Sequence, residues 1–422
     1  MPTIFSKTEL VDRPAFDIYC GLEADYPEKF LYIEKDGRIK VIGLGCLYAE
    51  ETFESLPLKL EGRVKRSPVL FAAGLFDPED SRPKNPLFHA LEGAAYVLPQ
   101  LVLIEQGGRT YAQINDTNPV TASPSEVVSA APEPCDLVGR DIDYALIPDS
   151  RQAWFANVDE ALRRIRAHEL DKMVLARELR AETGSTFTSR DMVVNLIASG
   201  IPGTLFLHQV NGAFFIGSTP ELLVRKEGNT ITTMCLAGTT PIGESEEERV
   251  KAALWLLNDP KNLREHAYVA DHLHGCLDEV CSKVRMPEGP SVLTLKHLQH
   301  LCTPVTAKVP RNVSLIELRD RLHPTPALAG SPVDEAKAAI REMEDFNRGF
   351  YGGTFGYLDL DGNGEFSVAI RSGVFGEDHG YVYAGCGIVE GSDPASEYDE
   401  IEVKLKTVLS AFQRPEGGRS CG

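Results

Sequence analysis

The sequence predicts an α+β protein built on mostly antiparallel β-sheets. Three observations carry that reading. Strand-like runs follow one another through tight Gly, Asn and Asp turns. Helical patterns come in separate blocks and do not alternate with the strands. No internal repeat with a period of 20–50 residues is present.

Taken in order, residues 16–112 mix strand-like runs at 69–76 and 94–104 with Gly/Asp turns, and no catalytic motif lies there. Residues 113–150 hold five prolines among Ser, Thr and Ala, which disfavours regular structure and reads as a long connection. It is either a domain boundary or a surface loop inside one large domain. Asp149-Ser150 then offers a cap for an amphipathic helix to about His168, with Trp154, Phe155, Val158, Leu162 and Ile165 at helical spacing. A strand is expected over 171–181, and a meander over 204–210, 213–217, 221–225 and 230–235 with Asn-Gly and Gly-Asn turns. Helices are expected over 244–257 and 262–281, the second entered through Asp259-Pro260, a cap followed by a first-turn proline. Short helices follow near 314–321 and 333–344, then strands over 356–359, 365–374 and 380–388. A last helix starts at Ser392-Asp393-Pro394 and runs to about Phe412, and the tail from 414 to 422 is expected to fray.

Composition narrows the function classes. The 422 residues carry 43 Lys+Arg against 62 Asp+Glu, a net charge of −19. That mean field repels nucleic acid and anionic membrane surfaces alike. Hydrophobic residues make up 43%, enough for a sizeable core. The N-terminus shows no signal-peptide pattern, and no stretch approaches the ~18 apolar residues of a membrane span. The nine cysteines are scattered, without a CxxC pair, and read as reduced thiols. The expectation is a cytoplasmic enzyme of small molecules. A monomer is expected, since no heptad run or long exposed apolar helix is evident.

Three patterns invite chemistry and are set aside. Asp359-x-Asp361-x-Asn363-Gly364 begins like a calcium loop, but its twelfth position is Ile370 where a bidentate Glu is needed, so it reads as a hairpin turn. Gly385-Cys386-Gly387 lacks the βαβ surroundings of a phosphate-binding turn. Glu265, His266, His272 and His274 suggest zinc, yet no HExxH or cysteine spacing supports it.

Other residues resist a packing explanation. Lys172 lies inside a strand, where it either snorkels to water or serves a site. Glu221 follows Pro220 at a strand start, as a turn acid or a functional one. Glu397, Glu400 and Lys404 share one helix face, which an exposed i,i+4 pair also explains. Glu265 sits one turn into another helix. Two glutamates from separate helices would suit a hard, oxygen-loving cation such as Mg²⁺.

Ten segments then appear in a telling order: DKMVLAR (171–177), FIGSTPELL (215–223), LAGTTPIG (236–243), DPKNLREH (259–266), HLCTP (300–304), HPTPALAG (323–330), FNRGFYGG (346–353), VAIRSG (368–373), YAGCGIV (383–389) and EYDEIEVKL (397–405). On these segments the chain resembles the chorismate-utilising enzymes, and among them the isochorismate synthase branch. The resemblance covers roughly residues 150–412 and is loose over the first 145. It implies one large domain, with 1–145 as a variable N-terminal half and 146–413 as the motif-bearing half, and it makes the proline-rich stretch a connection inside that domain.

By position, the resemblance implies that Lys172 is the general base and Glu221 the general acid. Glu265 and Glu400 become Mg²⁺ ligands, with Glu397 acting through water. Arg371, Tyr383, Gly385, Gly387 and Lys404 would hold the carboxylates of the substrate, chorismate, and Gly238, Thr239, His300, Ala327, Leu328 and Tyr351 would wall its ring. Two departures stand out: Asn262 where some relatives carry an acid, and Tyr351 where phenylalanine is common.

The implied reaction is a reversible isomerisation of chorismate to isochorismate, adding water at C2 and expelling the C4 hydroxyl. A neutral lysine would take the water's proton and a protonated glutamate would supply the leaving hydroxyl. This needs lysine to fall toward about 7–8 and glutamate to rise toward about 6–7, shifts that burial favours. Arginine suits a carboxylate through its bidentate fork, and glycines let backbone N–H groups approach one closely. Small apolar side chains at Ala327 leave nothing to promote pyruvate elimination, which separates this reading from salicylate synthase. The chain has no room for a fused glutaminase, which disfavours the ammonia-using branches, and a non-catalytic chorismate-binding relative is the remaining alternative. The product would feed siderophore, menaquinone or salicylate biosynthesis.

Overall fold

A computed structural model describes residues 3–34, 37–52, 66–133 and 139–414, with backbone pairing also at 59–60. The tail from 415, and Cys135 and Cys421, lie outside the described residues.

Two large sheets form the framework. The first runs Ala145–Leu146, Lys172–Glu182, His379–Val389, Ser372–Phe375, Ala213–Thr219, Thr204–Val210, Lys29–Ile33, Ile39–Leu44, Leu101–Gln106, Arg109–Asp116, Thr3–Val11, Lys59–Leu60. The second runs Ser282–Arg285, Leu298–Lys308, Thr230–Pro241, Leu222–Glu227, Gly364–Val368, Thr354–Asp359, Val69–Gly74, Tyr96–Leu98, Tyr48–Glu50. The named strands pair antiparallel except Thr3–Val11 with Lys59–Leu60. In both sheets a block of strands from the later part of the sequence is continued by a block from the first part, so the molecule is a single α+β domain.

Apolar alternation explains the layering, since successive side chains in a strand face opposite ways. One set of inward residues forms an aromatic core between the sheets: Phe30, Phe71, Phe206, Phe215 and Phe355 are all buried, with neighbouring ring centroids 5.3–6.4 Å apart. The opposite faces bury Leu31, Ile42, Leu175 and Ile388 against helices, including Arg151–Arg166, Pro260–Val280 and Pro394–Leu409. These three helices begin on side-chain caps from Ser150, Asp259 and Asp393, as the sequence signals imply. Among the described residues no helix is long and apolar enough to cross a membrane.

The structure corrects several sequence expectations. The run 365–374 is two strands, Gly364–Val368 in the second sheet and Ser372–Phe375 in the first. The chain crosses between sheets at Ala369-Ile370-Arg371, where Arg371 takes φ 54°, unusual for a non-glycine residue. The run 94–104 likewise splits into Tyr96–Leu98 and Leu101–Gln106, in different sheets. The helix Ser189–Ala198 was not expected, because its MVVNLIA core reads equally well as a strand. The long connection begins only after the strand Arg109–Asp116 and includes a short helix, Pro124–Ala130. The Asp359 stretch is a hairpin turn whose carboxylate accepts from the backbone N–H groups of Asp361 and Asn363.

Candidate active site

Lys172 opens the strand Lys172–Glu182, which pairs with His379–Val389 so that Val174 lies opposite Gly387 and Ala176 opposite Gly385. This lysine does not snorkel: it is fully buried. Its Nζ lies 3.1 Å from Glu265 Oε1 yet has no well-directed hydrogen bond. Gly387 is the reason both fit. A Cβ there would meet Glu265 Oε1 at 2.3 Å and Lys172 Cε at 2.8 Å. Glu265 comes from the helix Pro260–Val280, which His266 anchors to the second sheet through Thr303 Oγ1 (2.8 Å) and the Ala237 carbonyl (3.1 Å).

Glu221 immediately precedes the strand Leu222–Glu227, and the Val368 N–H donates to its carbonyl, fixing it beside the sheet crossover. Its side chain is buried, and burial pushes the carboxyl up to about 7 against the opposing pull of Lys172, Arg371 and Lys404. Glu265 takes the opposite direction. Burial would raise it, but Lys172, Lys404 and Lys261 outweigh that and hold it below the ordinary carboxylate range.

A cavity joins these elements, bordered among others by Glu221, Gly238, Thr239, Glu265, His300, Ala327, Leu328, Tyr351, Arg371, Gly385, Gly387 and Lys404. These twelve, of eighteen described residues that border it, are ones the sequence resemblance brings forward. Its charge pattern is specific. Arg371 is buried, its Nη1 has no partner, and burial lowers the guanidinium to about 10. An unpartnered buried guanidinium nitrogen is a standing demand for an anion. Lys404 donates to the Gly385 carbonyl (2.9 Å) and pairs with Glu400 at 2.6 Å. That pair is largely buried, not an exposed helix-face pair. His300 accepts or donates at Thr239 Oγ1 (3.0 Å), and burial, Arg371 and Lys404 keep it neutral, well below its ordinary range.

Four expected residues, Tyr383, Glu397, Lys172 and Glu400, are not among those that border the cavity. Tyr383 does not border the cavity: its hydroxyl donates to Glu178 (2.7 Å) and its ring stacks beneath Tyr351 at 5.0 Å, so it supports the wall and meets no carboxylate there. Glu397 is buried and paired with Lys261 at 2.6 Å. Lys172 lies under Gly387, behind the open space. The departures also find a structural account. Asn262 Oδ1 accepts from the Thr239 N–H (2.9 Å) at the register shift of Thr230–Pro241, so it shapes the ring wall. Tyr351 packs its ring on Tyr383, with its hydroxyl near Gly385.

One element escaped the sequence reading. Arg348 and Glu344 form a fully buried pair that clamps the site from behind. Arg348 donates to the carbonyls of Leu328 (2.9 Å) and Val174 (2.8 Å), and Glu344 accepts from the Ala176 N–H (2.8 Å). The lysine strand and the Ala327-Leu328 wall are thereby held at a fixed separation. Arg348 stands inside the FNRGFYGG segment, the only sequence signal for it.

The family model for chorismate binding enzymes matches residues 54–413. The chain belongs to this family. Two chorismate-binding relatives are the isochorismate synthase MenF of Bacillus subtilis (strain 168), 35% identical over 360 residues (82% of this chain, 74% of that one), and the isochorismate synthase MenF of Haemophilus influenzae, 30% identical over 403 residues (92% and 87%). The fold is also that of the menaquinone-specific isochorismate synthase MenF from Escherichia coli, with a TM-score of 0.78 at 24% identity over 98% of this chain and 95% of that one. The antiparallel sheets with helices outside are therefore the fold of the chorismate-utilising enzymes.

Proposed function

We propose that the chain is an isochorismate synthase, an isomerase that converts chorismate to isochorismate reversibly. One observation carries the reading. A buried Glu221 whose carboxyl is pushed up to about 7 shares a cavity with Arg371, whose Nη1 has no partner, and with Lys404. A neutral acid beside cationic anchors suits a dicarboxylate that must lose a hydroxyl.

In this reading Arg371 and Lys404 hold the carboxylates, and His300, Leu328 and Tyr351 fix the ring. Lys172, as the base, takes a proton from the water that attacks C2. The new C2–O bond forms as the ring double bonds shift and the C4–O bond breaks. Glu221 delivers its proton to the departing oxygen, so one water enters, one leaves, and substrate and product are isomers. Nothing hydroxyl-bearing stands at Ala327, which supports a reaction that stops at isochorismate.

The donor set fits Mg²⁺. Glu265 and Glu400 are hard oxygen donors from separate helices, each beside a lysine, Lys172 at 3.1 Å and Lys404 at 2.6 Å. Among the described residues no three His, Cys, Asp or Glu side chains converge, so water and substrate would have to supply the rest of the ion's shell. When bound, it would orient the ring carboxylate and stabilise charge developing in the π-system. Glu397, neutralised by Lys261, would act at most through water.

Chromatography of purified enzyme with chorismate tests this directly. Isochorismate as main product is expected with Mg²⁺, and its loss with a chelator. Salicylate plus pyruvate, or turnover only with ammonia, would overturn the choice of branch. Binding of chorismate without turnover would favour a non-catalytic relative.

A further inference from the structure

Each glutamate of the proposed metal set is paired with a lysine. Lys172 lies 3.1 Å from Glu265, Lys404 2.6 Å from Glu400 and Lys261 2.6 Å from Glu397. The first two lysines have other roles in the reaction proposed above, as base and as carboxylate anchor. Lys261 has none, and it is not among the residues that border the catalytic cavity. It is the second residue of the helix Pro260–Val280, whose first turn holds no acid. A cation there opposes the helix dipole, which favours negative charge at that end. Its side chain is about one-third exposed, yet it donates inward to a carboxylate that is 3% exposed. Local helix stability therefore does not explain Lys261, and the carboxylate that it covers does.

Glu397 precedes Glu400 by three residues on the helix Pro394–Leu409, so the two share a face from which both can reach one ion. The number of charged ligands tunes cation affinity, and a third carboxylate would make a tighter site. Glu397 is instead held by Lys261 and by a hydrogen bond with Ser392, and the three glutamates do not meet as one metal-holding group. The charge of Lys261 also acts on Glu265 and Glu400.

We propose that Lys261 is a positioning residue that sets the affinity of the site for its divalent cation. It keeps Glu397 out of the ion's inner shell and so leaves a two-carboxylate site with coordination positions free for water and the substrate carboxylate. The inference rests on the Mg²⁺ reading above and names what controls that site. The physical basis is competition. An ammonium on Glu397 already satisfies the buried carboxylate, so a dication can recruit that carboxylate only by breaking the pair. Mg²⁺ demands an octahedral shell, and a third glutamate would fill a position that the substrate needs.

Metal binding in the absence of chorismate tests this. Lys261→Gln removes the charge but keeps an amide that can donate to Glu397, and Lys261→Arg keeps the ion pair; thermal melts verify that both fold. By calorimetry with Mg²⁺, Lys261→Gln should bind about 10-fold or more tightly than wild type, and Lys261→Arg within about twofold of it. With Glu397→Gln also present, the gain should fall to about threefold or less, the part due to charge alone. With Mn²⁺ as a paramagnetic probe, Lys261→Gln should show one water fewer on the bound ion than wild type. Independently of that variant, Glu397→Gln alone should leave the number of waters on Mn²⁺ unchanged. A Lys261→Gln enzyme with no gain in affinity, or with the same gain whether or not Glu397 is present, would overturn the proposal. So would an extra water on Mn²⁺ in Glu397→Gln alone, because Glu397 would then already be an inner ligand. A wild-type enzyme that binds no Mg²⁺ and turns chorismate over with a chelator present would overturn the metal reading itself, so the two failures are told apart.

Discussion

Glu221 illustrates how much a single position depends on its surroundings. Its folded carboxyl sits at about 7 against an ordinary 4.5, with burial as the largest cause. The sign follows directly. The folded state binds the proton more tightly, so the stability this group contributes is complete below about 4.5 and is lost as pH rises through about 7. The proposed acid role has the same dependence, and kcat/KM should fall as pH rises through about 7. Glu221→Gln should abolish turnover yet raise the melting temperature by a few degrees at pH 8, because it removes a buried charge worth on the order of 2–3 kcal/mol. A pH-rate profile and paired melts at pH 5 and 8 check both arms. Gly387 is the complementary case. Gly387→Ala places a methyl 2.3 Å from Glu265 Oε1 and 2.8 Å from Lys172 Cε, so one of them must move. We expect at least a hundredfold loss in kcat with a stability cost of only about 1–3 kcal/mol, read by steady-state kinetics and urea titration. At this scale the sequence offered residue types but not burial. Lys172 in a strand was equally readable as a snorkelling side chain, and only the helix laid across it decides otherwise.

Elements carry the next level of control. The chain crossing at Ala369-Ile370-Arg371 moves from one sheet to the other and, in doing so, turns Arg371 into the cavity wall. A short apolar run gives no sign of which sheet each half will join, so 365–374 read as one strand. The helix caps, by contrast, were legible, because Ser150, Asp259 and Asp393 act on N–H groups three residues away. The Glu344–Arg348 clamp lies between these cases: its partners are the backbone of two remote elements, which no local pattern encodes. Arg348→Met leaves a buried carboxylate without its partner and should cost about 3–5 kcal/mol, whereas the double change Glu344→Gln with Arg348→Met should recover much of it. Equilibrium urea unfolding of both variants decides, and equal losses would contradict the account.

For the whole molecule, sheet order sets the unit of folding. Lys29–Ile33 pairs directly with Thr204–Val210, and Val69–Gly74 with Thr354–Asp359, so the variable first part completes both sheets of the motif-bearing part. Deleting residues 1–145 should therefore leave a chain that does not fold on its own, seen as loss of cooperative unfolding and of soluble yield. A soluble, cooperatively melting fragment would show that the later part is self-sufficient. The net charge of −19 belongs to this scale too: it describes the surface, and it says nothing against a cavity whose anchors are Arg371 and Lys404. The sequence by itself determined most element types, the caps and the motifs that gather around the cavity, because periodicity, capping and ordered motifs are local properties of the chain. Only the tertiary structure decided that Lys172 is buried, that Tyr383 stands behind the wall, and that a clamp flanks the site. Those depend on which surfaces meet, and burial and pairing are fixed by contacts between segments hundreds of residues apart.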